Sequence, residues 1–105
     1  MRVMLALLAL AAAGPAAAQR DPDQLERGRA VATQWCANCH AVGPGGPAPR
    51  SDAAPSFASI AARPGTTRAG VATFVRLPHP NMPDHGLTAR QAEDVAAFLL
   101  AQGAR

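Results

Sequence analysis

Cys36-Ala37-Asn38-Cys39-His40 is the stretch on which the rest of the chain depends. Two thiols in C-x-x-C spacing, followed at once by an imidazole, are the attachment signature of a c-type haem. Each thiol can form a thioether with one haem vinyl group, and His40 can then reach the iron as its proximal ligand. Cys36 and Cys39 are the two cysteines of the sequence, so the motif uses the whole thiol inventory. Three other readings compete. A thioredoxin-like pair expects a βαβ setting, and no strand pattern occurs here. A structural zinc site asks for a fourth ligand and usually a second C-x-x-C. A plain disulfide suits an exported protein.

Working outward, the residues before the motif read as a helix. Asp21 can cap, Pro22 suits the first helical position, and Gln24 lies three residues after the cap as in a capping box. The helix is expected from about Asp23 to Cys36, with Leu25, Gly28, Ala32 and Trp35 near one face. Glycine inside a helix costs about 1 kcal/mol against alanine. Gly28 is therefore read as a place where another helix comes close. After the motif, residues 43–55 hold three glycines and four prolines, and no regular element survives that composition.

Ser56 to Ala62 is expected to form a short helix with Phe57 and Ile60 on one side. Thr66 or Thr67 can cap a third, about Arg68 to Arg76, with Val71, Phe74 and Val75 as its apolar stripe. Residues 77–87 are irregular. Thr88-Ala89-Arg90-Gln91 is a capping box, opening a last helix over about Ala89 to Gln102 that Gly103 stops. The fold class is all-α, and the two terminal helices are the natural pair to cross, with Gly28 close to Phe98 and Leu99.

A proximal histidine needs its second ring N–H held by an acceptor. The carbonyl of Pro55, just before the short helix, is the preferred one, ahead of Pro44. The sixth iron ligand is expected to be Met82, held between Asn81 and Pro83 in a stiff loop. His79 and His85, three residues to either side, compete with it, as does an open position. His/Met ligation saturates the iron and raises its potential, which suits electron transfer, whereas an open site admits oxygen, peroxide or nitric oxide. Trp35, Phe57, Ile60, Phe74, Phe98 and Leu99 are the apolar side chains expected in the haem pocket and around it. No catalytic arginine–histidine distal pair is recognisable, so no enzymatic residue is assigned.

The start of the chain has a different character. Arg2, an apolar run from Val3 to Ala13, and the small residues Ala16-Ala17-Ala18 have the layout of a secretory signal peptide cleaved before Gln19; an uncleaved anchor is the alternative. The run is shorter than the roughly 20 residues a membrane span needs. Residues 1–18 are thus expected to be removed and residues 19–105 to form one domain, placed in the periplasm. Near this size a single apolar core is marginal. Trp35, Phe57, Phe74 and Phe98 are the four aromatic residues, and a covalent haem would add the large flat apolar body that they do not supply. The formal charge is +3, with no lysine and the arginines interspersed with acids, which argues against nucleic-acid binding.

Taken together, these residues resemble the small class I monohaem c-type cytochromes of bacteria, over nearly all of residues 23–102. The resemblance rests on Gly28 eight residues before Cys36, on Cys36 to Gly43, and on Ala54-Pro55-Ser56-Phe57. It continues through Asn81-Met82-Pro83, Leu87-Thr88 and Val95-Ala96-Ala97-Phe98-Leu99. It implies thioethers on Cys36 and Cys39, axial ligation by His40 and Met82, Pro55 as acceptor for His40, and Gly28 packed on the aromatic residue of the last helix. Phe98 stands where many members have tyrosine. The implied role is a periplasmic electron carrier exchanging single electrons with redox protein partners, as a monomer or as the haem subunit of a larger dehydrogenase or oxidase complex. A gas-binding or peroxidatic haem protein is the reading from another class.

Overall fold

A computed structural model describes residues 21–77 and 80–103. Four helices follow in order: α1 Pro22–Trp35, α2 Phe57–Ala61, α3 Arg68–Phe74 and α4 Ala89–Gln102. No strand occurs among the described residues, so the fold is all-α. No described helix is long and apolar enough to cross a membrane.

Each helix start has a polar cap. Asp21 accepts from the Asp23 amide at 3.0 Å. Gln24 does not close the expected box around Asp21; its side-chain oxygen accepts from Arg68 at 2.8 Å, tying α1 to α3. Ser56 accepts from Ser59 N at 3.1 Å, and Thr67, rather than Thr66, accepts from Gly70 N at 3.0 Å to open α3. Thr66 instead donates to Ile60 O at 2.9 Å, bracing the turn after α2. At α4 the capping box is complete: Gln91 N donates to Thr88 Oγ1 at 3.1 Å, and Thr88 N donates to Gln91 Oε1 at 2.9 Å. Such caps satisfy amides that have no partner inside the helix.

α3 is two residues shorter than its apolar stripe predicts. Its end tightens into short-range turns, Arg76 N to Thr73 O and Leu77 N to Phe74 O, both at 3.2 Å, a common way for a helix to finish before a proline. The buried side of α3 runs through Ala72 with Val71 and Val75 beside it, so Phe74 falls off that face and is 53% exposed.

α4 is the hub and packs against all three other helices. Its buried residues include Ala92, Val95, Ala96, Phe98 and Leu99. α1 crosses it at Gly28, where a Cβ would lie 2.1 Å from the Asp94 carbonyl oxygen. Beside that contact Arg27 grips the Asp94 carboxylate with Nε at 3.0 Å and Nη2 at 3.3 Å. Gly103 ends α4 with φ −82°, so no left-handed turn requires it. What it provides is room, because a Cβ there would meet the Ala61 Cβ at 2.7 Å. The main core cluster joins Ala32, Cys36, Ala37, Val42, Phe57, Leu87, Val95, Phe98 and Leu99, so the haem motif and the terminal helix share one apolar interior.

Candidate haem-binding site

The C-x-x-C-H stretch is a tight turn off the end of α1. Cys36 is the C-cap, its amide bonded to Ala32 O at 2.8 Å. The amides of Cys39 and His40 both return to Cys36 O, at 3.2 and 2.9 Å. This winding keeps both thiols and the imidazole within one turn of chain. Cys36 is buried, Cys39 is exposed, and both thiols are free. Burial, then the neighbouring charge of Cys39, pushes the Cys36 thiol up to about 11.

His40 Nδ1 lies 2.6 Å from the carbonyl oxygen of Pro55. A carbonyl can only accept, so the proton of the neutral ring is on Nδ1 and the lone pair is on Nε2. That is the tautomer and orientation a metal-bound imidazole needs. The loop 43–55 is anchored so that this carbonyl arrives: Arg50 N donates to Asn38 O and Phe57 N to Ala41 O, each at 2.9 Å. The Phe57 ring sits 5.7 Å from His40 and 6.2 Å, edge to face, from Phe98. A line of rings therefore runs from the imidazole to the centre of α4.

Leu99 and Phe98 are buried in the main cluster, and Ile60 packs against it. Trp35 is 40% exposed, off the buried face of α1, and its ring leans on His85 at 5.5 Å. Met82 is half-buried in the loop before α4, between Asn81, which adopts a left-handed φ of 67°, and Pro83. Asparagine is one of the few side chains that tolerate that conformation. His79 lies outside the described residues, as do residues 1–18 with the expected signal peptide.

Two buried polar residues were not singled out from the sequence. Asp94 is 3% and Gln102 7% exposed. Burial by itself would raise the Asp94 carboxyl. Hydrogen bonds from Arg27 and Gln24, with the charges of Arg27 and Arg90, outweigh it and hold the group below the usual carboxylate range. Gln102 Nε2 donates to Phe98 O at 3.0 Å, while among the described residues its Oε1 has no hydrogen-bond partner. Neither residue carries a motif; each is defined by the crossing of elements distant in sequence.

The donor set fits a haem: two free thiols in one turn, an imidazole with Nε2 available, and an adjoining apolar core. Residues 23–99 match the family model described as cytochrome c oxidase, cbb3-type, subunit III. The chain belongs to the c-type cytochromes, as a small monohaem member of that family. Cytochrome c-552 of Bradyrhizobium diazoefficiens is 36% identical over 99 residues, covering 94% of this chain and 91% of the relative. No solved structure matches the chain. The cofactor is thus a covalently bound haem c with its iron, and the protein is an electron-transfer haem protein; this family generally carries electrons rather than catalysing reactions.

Proposed function

We propose that the chain is a periplasmic carrier of single electrons, with thioethers on Cys36 and Cys39 and with His40 and Met82 as the axial ligands of the haem iron. The observation that carries this reading is the 2.6 Å bond between His40 Nδ1 and Pro55 O. It spends the Nδ1 proton on the protein and leaves Nε2 as the donor atom. The haem would supply one-electron redox chemistry, and methionine sulfur as an iron ligand would raise its potential. The protein's part is to orient and to keep water out. Pro55 fixes the imidazole plane, Pro83 stiffens the loop that presents the Met82 sulfur, and Phe57, Ile60, Phe98 and Leu99 give the pocket a dry wall. Residues 1–18 act as a signal peptide removed before Gln19.

The test is fractionation and one pair of spectra. The periplasmic fraction should hold the red protein beginning at Gln19, and its ferric form should show the weak long-wavelength sulfur-to-iron band. A protein retained with the cytoplasm, or a ferric spectrum without that band, overturns the corresponding part.

A second reading is a fixed haem relay within a larger oxidase complex. It is favoured by the family description, which names a subunit of such an enzyme. Size exclusion of native extract separates the two: elution near the mass of the single chain supports the free carrier, and co-elution with a large oxidase or dehydrogenase supports the relay.

A further inference from the structure

The His85 ring packs against Trp35. Their ring centroids are 5.5 Å apart with planes tilted by 34°, within the range of favourable aromatic contacts. Trp35 is the last residue of α1, directly before Cys36, and His85 is three residues after Met82. The contact therefore joins the two chain segments that the proposed axial pair depends on. The backbone around His85 is shaped to make it. Gly86 N donates to Asp84 Oδ1 at 2.8 Å and Gly86 takes φ +64°, a turn with His85 at its apex. Leu87, buried in the core, holds the far side of that turn, and Thr88 caps α4 immediately after.

We propose that His85 is a positioning residue. Its ring, stacked on Trp35, pins the loop so that the Met82 thioether is held at the iron. The inference rests on Met82 as sixth ligand and assigns to His85 a role other than that of a rival ligand. A loop that must pass Met82 to the iron and then reach buried Leu87, two residues before α4, has to be ordered between those points. The ring contact shortens that span, so less conformational entropy is lost when the sulfur binds.

The test is competition by imidazole for the iron of the ferric holoprotein, followed through loss of the sulfur-to-iron band. In His85→Ala, imidazole should bind about two- to tenfold more tightly than in wild type, the range expected from losing one aromatic contact. Trp35→Leu should give a similar gain, and the double variant should add little to either. His85→Phe, which keeps a ring on Trp35, should return the affinity toward wild type. Unchanged affinity in His85→Ala overturns the proposal, and so does failure of His85→Phe to restore it. A wild-type protein lacking the band fails the Met82 assignment itself, and this inference falls with it.

Discussion

Gly28 and Asp94 meet backbone to backbone: a Cβ on Gly28 would stand 2.1 Å from the Asp94 carbonyl oxygen, and 2.7 Å from the Cβ of Phe98. Neither neighbour is the tip of a flexible side chain, so the helices themselves would have to part. Replacing glycine in a helix normally gains up to about 1 kcal/mol. Here overpacking reverses the sign, at a typical cost of 1–3 kcal/mol. Gly28→Val is expected to destabilise the haem-loaded protein by about 2 kcal/mol in denaturant unfolding. Stability equal to wild type would refute the close crossing.

Asp94 makes stability depend on acid. Its carboxyl is buried, yet Arg27 and Gln24 hold it below its usual range. A carboxyl with a lower pKa folded than unfolded stabilises the protein above the unfolded value, and that contribution is lost as pH falls through the folded value. Its contribution should therefore be constant near neutrality and decline below about pH 4. Asp94→Asn should be less stable at pH 7 and should lose less on acidification. Parallel acid profiles for the two proteins would show that Asp94 does not supply the slope.

Phe98 and Gln102 share a face of α4, and both reach Gly43: a Cβ built there would lie 3.6 Å from Phe98 Cζ and 2.9 Å from Gln102 Oε1. Gln102 Oε1 is a buried acceptor with no partner among the described residues, so a hydroxyl added at Cζ, on the same side of Gly43, could supply its donor. Satisfying a buried acceptor contributes about 1 kcal/mol. Phe98→Tyr should raise the midpoint of thermal unfolding, whereas Phe98→Tyr combined with Gln102→Leu should not. A lowered midpoint in the single variant would mean that the hydroxyl crowds Gly43 instead of bonding Gln102.

Much of this architecture is legible from local chemistry. The Thr88–Gln91 box begins α4 where the residues predict, Gly103 ends it, and the lone helical glycine of α1 marks the crossing. The carbonyl asked of Pro55 stands beside His40 because a proline-rich loop leaves few ways back to the motif. What escapes the sequence depends on pairing across the fold. Asp94 carries no local signal, because the partner that makes its burial possible, Arg27, lies 67 residues earlier. Trp35 has the spacing of a core residue with Gly28 and Ala32, but α1 stops there. The interior passes instead to Cys36 and Ala37, and Trp35 turns to His85. Phe74 lies outside the apolar interior for a related reason, since a helix of seven residues buries a narrow face and Ala72 occupies it.

Electron transfer through an iron held by His40 and Met82 is tested by the ferric spectrum and reduction potential of wild type beside Met82→Ala. Wild type should show the sulfur-to-iron charge-transfer band and resist carbon monoxide in the ferrous state. The variant should lose the band, bind carbon monoxide readily and have a lower potential. A wild type without the band, or a variant that keeps both band and potential, would contradict it.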